Sequence, residues 1–302
     1  MIARLLRITV VVLVGLSAAW FAVQIGRGYW LSAAGGALLL LNVQPIVLAC
    51  EFVFLQPLLN RRDPVPKPSF SQRAGAWWLE SRTAHDLFGW QQAFHADRYP
   101  DTLEEAKRGQ RAVILVHGFF CNRGVWNRCL PLLSRQGVAF AALTLEPPFV
   151  DLDHHAAALD DAVDRAWRAT GVAPLLVCHS MGGLVARAWW RAHAGSAAAR
   201  VHHVVTIGTP HQGAFTARFA RAANARQMRQ GGDWLIRLAD SERNGAARNF
   251  TCFYSHCDNI VLPASSATLA GADNRHLNGW PHLGLIYAPQ VWQQVLTLLR
   301  SA

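Results

Sequence analysis

Apolar residues fill almost all of the stretch from Ile8 to Ile25, with Arg4 and Arg7 immediately before it. At about 1.5 Å per helical residue, this run crosses most of a roughly 30 Å hydrocarbon core. Beyond a single charge at Arg27, Tyr29 to Cys50 makes a second apolar stretch, interrupted by Asn42, Gln44 and Pro45 and closed by Glu51. Together they predict a membrane anchor over residues 1–60 with two transmembrane helices. Arg4 and Arg7 on one side, and Arg61, Arg62, Lys67 and Arg73 on the other, outweigh Arg27 between the spans. Both ends of the hairpin are therefore expected in the cytoplasm. Ser17-Ala18-Ala19 gives a rival reading as a cleaved signal peptide, against which the second apolar stretch directly behind it argues. Two buried core helices are the other alternative, but apolar runs of this length are long for that role.

Residues 61–110 read as a proline-rich linker, Asp63-Pro-Val-Pro-Lys-Pro68, and one amphipathic helix between Ser71 and His95. The linker cannot continue a helix. Trp77, Ala84, Leu87, Phe88 and Phe94 form a stripe suited to packing on a core.

From residue 111 the pattern changes to short apolar runs alternating with helical stretches. Expected strands are Ala112–Val116, Val138–Leu143, Leu175–Cys178, Val201–Ile207 and Phe250–Tyr254. Expected helices are Val125–Ser134, His155–Thr170, Gly182–Ala194 and Pro289–Leu299, with Gly137 and Gly171 as stops. This alternation predicts an α/β domain over residues 111–302, its mostly parallel sheet covered by helices on both faces. The alternation lapses between Gly213 and Asn249. There Phe215, Phe219, Ala222 and Arg226 predict one side of a basic helix, a candidate lid or membrane-touching insertion that reads equally well as a solvated surface helix.

Composition agrees with a membrane-bound chain: of 302 residues, 52% are hydrophobic and only 16% charged. The net charge is +10, and Lys67 and Lys107 are the only lysines among the 29 basic residues. An arginine-rich face suits anionic head groups, while the absence of any long basic run argues against a nucleic-acid partner. The six cysteines contain no C-x-x-C pair, so neither a disulfide framework nor a zinc site is expected.

The sharpest chemical signal is Leu175-Leu-Val-Cys-His-Ser180-Met-Gly-Gly-Leu184. An apolar strand runs into a serine, and small residues then open a helix. Such a tight turn lifts the hydroxyl clear of the sheet and leaves it at a helix N-terminus, where developing negative charge is favoured. Ser180 is the candidate nucleophile.

On these residues the chain resembles the α/β-hydrolase superfamily, and most of all its bacterial lipases and esterases. The G-x-S-x-G pattern appears as Cys178-His179-Ser180-Met181-Gly182, with cysteine in place of the first glycine. Val113-Ile-Leu-Val-His117-Gly118-Phe119 places His-Gly where the family keeps half of its oxyanion hole. The resemblance implies the N–H groups of Phe119 and Met181 as donors to the developing oxyanion. Thr206-Ile-Gly-Thr-Pro-His-Gln-Gly213 is similar to a lipase segment bordering the active-site mouth.

The family order of nucleophile, acid, histidine implies Asp258, at the end of the strand Phe250–Tyr254, as the acid. It implies His282, in His-Leu-Gly-Leu before the last helix, as the base. His276 stands close enough in sequence to replace His282, and Asp273 or Asp240 to replace Asp258. The 24 positions between Asp258 and His282 leave room for one short strand. His179 and His256 read as neighbours of the site. His155-x4-Asp160 matches a membrane acyltransferase pattern, but on a helix the pair is about 140° apart.

The expected protein is thus a membrane-anchored serine hydrolase of lipase or carboxylesterase type, acting on lipid-like acyl esters through an acyl-enzyme. No cofactor or metal is expected, and the catalytic domain is expected on the cytoplasmic side of a bacterial inner membrane. A thioesterase, an acyltransferase and a non-catalytic membrane scaffold are the alternatives.

Overall fold

All five strand pairings of the six-stranded sheet are parallel. In the computed structural model, which describes residues 1–242 and 245–301, the chain begins with helices α1 (Ile2–Gly26), α2 (Trp30–Leu41), α3 (Val43–Cys50) and α4 (Phe70–Asp86). Then follow β1 (Val113–Val116), α5 (Leu130–Arg135), β2 (Phe140–Ala142), α6 (Leu152–Thr170), β3 (Leu175–His179) and α7 (Met181–Ala192). The chain closes with β4 (His203–Ile207), α8 (Asp233–Ser241), β5 (Phe250–Tyr254), β6 (Asp273–His276) and α9 (Pro289–Arg300).

The strand order is β2-β1-β3-β4-β5-β6. The chain leaves β1 outward to β2, returns to β3 on the other side of β1, and proceeds from there to β6. At this reversal the loops leaving the carboxyl ends of β1 and β3 lie side by side, the place where open parallel sheets bind ligands. Burial follows from alternation along the strands. Ile114, Val116, Leu176 and Cys178 pack with α6 and α7 on one face. Val113, Leu115, Val177 and Val205 pack with Trp126, Leu130, Leu133, Val291 and Trp292 on the other.

Several elements differ from the periodicity. The segment expected as one helix over Val125–Ser134 is a 3₁₀ turn, Arg123–Trp126, followed by α5, whose first turn carries Pro131. Proline has no N–H to extend an earlier helix but suits a helix start. The Ser71–His95 stretch begins at Phe70 with a Ser69–Gln72 capping box and changes to a π turn at Leu87–Gln91. The basic segment is not one helix: a 3₁₀ turn spans Phe215–Phe219 and a separate short helix spans Ala223–Gln227. Tertiary hydrogen bonds separate them, since Phe215 N–H donates to Leu262 O, Ala223 N–H to Phe149 O, and Arg229 to the carbonyls of Ala217 and Ala220. The short strand for which the sequence left room is β6.

α1 is long and apolar enough to cross a membrane. The second apolar stretch is bent by 62° between Trp30–Leu41 and Val43–Leu59. Its break falls at Asn42, whose side chain donates to the Leu38 carbonyl, and Pro45 follows in the first turn of α3. The start of α1 is seated on the α/β domain: Ile2 and Leu6 are buried with Ala93 against Phe88, Phe120 and Phe149.

Candidate active site

Ser180 occupies the single residue between β3 and α7, with φ +52° and ψ −124°. This backbone region is costly for a residue with a side chain, on the order of 1–3 kcal/mol, and the surroundings must impose it. Ser180 N–H donates to Ile207 O at 2.8 Å, and Thr209 Oγ1 donates to Ser180 O at 2.8 Å. A side chain at Gly182 would run into the carbonyl oxygens of Val116 and His117, so α7 can approach β1 only with glycine there. Cys178, where the family pattern has glycine, is fully buried between Val116 and Thr206, and burial pushes its thiol pKa up.

Asp258 lies in the loop after β5 and His282 between β6 and α9. Both are buried, and Asp258 Oδ2 meets His282 Nδ1 at 2.8 Å. Asp258 Oδ1 accepts the N–H groups of Ile260 and Val261, each at 2.8 Å. With the carboxylate as acceptor, His282 Nδ1 carries the proton and Nε2 is left as the basic nitrogen. Burial pulls the His282 pKa down. The Asp258 charge and hydrogen bond, with the charges of Glu80 and Glu51, outweigh it, and the net shift is above the ordinary 6.5.

The Ser180 turn and the Asp258–His282 pair meet at β4. Ile207 binds the Ser180 amide, and a Cβ on the next residue, Gly208, would stand 3.2 Å from both Asp258 Oδ2 and His282 Nδ1. The ring of His179 lies 4.8 Å from that of His282, and its Nε2 is 3.3 Å from the His282 carbonyl. Among the described residues no hydrogen bond joins the Ser180 hydroxyl to His282, a link that often tightens only with substrate bound.

Phe119 follows β1, and Met181 is the first residue of α7. Among the described residues neither backbone N–H is used by a protein acceptor, so both remain for a ligand oxygen. His117 supports this loop: its Nε2 accepts Leu145 N–H at 2.9 Å, and burial lowers its pKa to about 4, which keeps it neutral. Among the described residues no three His, Cys, Asp or Glu side chains converge as a metal-binding group.

The other candidates lie elsewhere. Asp273 and His276 are on β6; Asp273 pairs with Arg275 at 2.7 Å, and His276 packs at a tilt against Tyr254 and edge-on to His256. Asp240 is on α8. Asp160 accepts the Trp189 indole and pairs with Arg200, while His155 is fully buried.

Two acidic residues near the site were not anticipated. Glu80 of α4 is buried and accepts the N–H groups of Leu283 at 3.0 Å and Gly284 at 3.2 Å. Glu51 accepts Asn259 Nδ2 at 2.8 Å, and Asn259 Oδ1 accepts His282 N–H at 3.4 Å. The sequence carried one sign of the first: Glu80 falls on the apolar face of Trp77, Ala84 and Leu87, where a carboxylate needs a partner.

The family model described as the alpha/beta hydrolase family matches residues 113–296, and the chain belongs to that family. Among solved structures, the mature form of a Bacillus licheniformis lipase is 18% identical, covering 67% of this chain and 94% of that one, with a TM-score of 0.56. Aspergillus fumigatus lipase B is 19% identical, covering 64% and 53% respectively, with a TM-score of 0.57. These likenesses are of fold. No curated protein matches.

Proposed function

We propose that this α/β hydrolase is a membrane-anchored serine hydrolase that cleaves lipid-like carboxylic esters. The observation that carries the reading is the buried His282–Asp258 pair at 2.8 Å, set beside a serine on a strained strand-to-helix turn. Ser180 Oγ attacks the acyl carbonyl while His282 Nε2 takes its proton. The negative oxygen is held by the N–H groups of Phe119 and Met181. His282 then delivers the proton to the leaving alcohol, and Asp258 stabilises the imidazolium in both half-reactions. Water, activated by the same imidazole, releases the acid and restores Ser180.

A lipid-like substrate is favoured by an apolar cavity of about 510 Å³ formed by the anchor and the oxyanion loop. Leu6, Val10 and Leu13 of α1, Val43 of α3, Phe88 and Phe120 line it. Phe120 is adjacent in sequence to the proposed donor Phe119, so one wall of the cavity belongs to the loop proposed to hold the oxyanion. Tethering also raises the local concentration of bilayer esters. The contact of Ile2 and Leu6 with the α/β domain favours an amino terminus and catalytic domain on one side of the membrane, and the arginine bias favours the cytoplasmic side.

The test is labelling of the detergent-solubilised chain with a fluorophosphonate. Wild type should label and Ser180→Ala should not; absence of labelling in folded wild type overturns the reading. Val10→Trp should lower turnover of long-chain esters at least several-fold more than that of butyrate esters, and equal effects would remove the cavity from the proposal.

A further inference from the structure

Glu80 lies outside the region the family model matches, yet its carboxylate reaches the segment carrying the candidate base. Three consecutive N–H groups of that segment are held by side chains. His282 donates to Asn259, itself bound to Glu51, while Leu283 and Gly284 donate to Glu80. Tight packing of Gly284 against Pro281 and Leu79 leaves this backbone little room to move. An ionisable side chain with about 1% exposure is expensive to bury, and two backbone donors compensate only partly. A glutamine or an apolar residue could have capped or packed the loop at lower cost, so the charge itself calls for an explanation.

We infer that Glu80 is a positioning residue for His282: its carboxylate grips the N–H groups of Leu283 and Gly284, fixes the imidazole's loop, and strengthens the imidazole as a base through its negative charge. The inference rests on the hydrolase reading above. Among the described residues, the titratable or charged groups that face His282 are Asp258, Glu80, Glu51 and the neutral ring of His179. All three carboxyls favour the imidazolium that forms when the Ser180 proton moves to Nε2. Burial raises the Glu80 pKa to about 7, against the opposing pull of the His282 charge and the Leu283 hydrogen bond. Its negative charge is therefore present above neutral pH and lost below it. Glu80 exchanges no proton with substrate. It acts through the loop and the field, and so makes the segment ahead of the family-matched region part of the catalytic centre.

Glu80→Gln keeps the shape and one acceptor while removing the charge. In the full-length, detergent-solubilised chain, the acidic limb of kcat/KM for a butyrate ester should move to lower pH by on the order of one unit, with KM little changed. A fall in rate with the limb unmoved would make Glu80 a purely structural cap and overturn the inference, as would unchanged kinetics. Should Glu80→Gln not fold, the His282 ring signals followed by NMR in the native chain carry the test. A second inflection near pH 7 supports coupling to Glu80, and a single inflection overturns it. The NMR result needs no turnover, so it separates failure of this inference from failure of Ser180 to label.

Discussion

His282 Nδ1 and Asp258 Oδ2 stand 2.8 Å apart although 24 positions separate the residues along the chain, with β6 laid down between them. The carboxylate spends its other oxygen on the N–H groups of Ile260 and Val261. Its orientation is therefore fixed independently of the histidine, and the imidazole has one tautomer to adopt.

Asp258→Asn removes the charge and places a donor or a poor acceptor against Nδ1, favouring the wrong tautomer. The expected loss in kcat/KM is about 10³–10⁴-fold with KM little changed. In wild type the acidic limb should lie above pH 6.5, because the base works only when neutral and its pKa is raised. Steady-state kinetics from pH 5 to 9 on a soluble ester measure both, and a loss below tenfold would remove Asp258 from the proposed triad.

Acid should destabilise the fold before carboxylates of ordinary pKa protonate. Burial holds His117 and His203 to a pKa of about 4, and His179 and His211 well below the ordinary 6.5. The unfolded chain therefore binds protons near pH 6.5 that the folded chain refuses, and the stability they contribute is lost as pH falls from 6.5 towards 4. Glu80, Glu51 and His282, whose pKa values are raised, work in the opposite sense but are fewer. Urea midpoints should drop between pH 6.5 and 4.5; a flat or rising midpoint would contradict the burial of neutral imidazoles.

Gly182→Ala should cost about 1–3 kcal/mol, since the added methyl meets the backbone oxygens of Val116 and His117, which cannot rotate away. It should also slow fluorophosphonate labelling, because relief of the clash pushes α7 and the Met181 N–H away from β1. Thermal unfolding together with labelling rate checks this, and a variant as stable and as reactive as wild type would refute it.

Arg187 is fully buried on α7, bound twice to Glu242 at 2.6 and 2.8 Å and to the His211 carbonyl at 2.8 Å. Arg187→Ala leaves a nearly buried carboxylate without its partner and should cost about 3–5 kcal/mol. Arg187→Met with Glu242→Leu should recover much of it. Chemical denaturation of the single and double variants decides the matter, and a single-variant loss under about 1 kcal/mol would show that the charge finds water.

Local rules carried far in this chain. Apolar runs of four to seven residues, the first three each followed by a helical stretch, were enough for a parallel sheet covered on both faces, and five of its strands are legible as such. The serine between β3 and α7 was legible too, because the turn demands small neighbours and leaves the pattern of Ser180-Met-Gly-Gly in one short stretch. The division of the basic segment after Gly213 was not legible, since hydrogen bonds to Leu262 and Phe149 overrode its helical spacing.

By itself the sequence determined which segments are apolar, where strands give way to helices, and which serine stands at a turn, because these depend on neighbours within a few positions. Which aspartate and which histidine face each other was decided only by the assembled sheet, which brings the ends of β5 and β6 together. The same assembly sets Glu80 of a preceding helix against Leu283 and Gly284, over 200 positions away. Nothing periodic encodes such a meeting: a carboxylate on an apolar stripe announces that it needs a partner, and only the packing of that stripe says which.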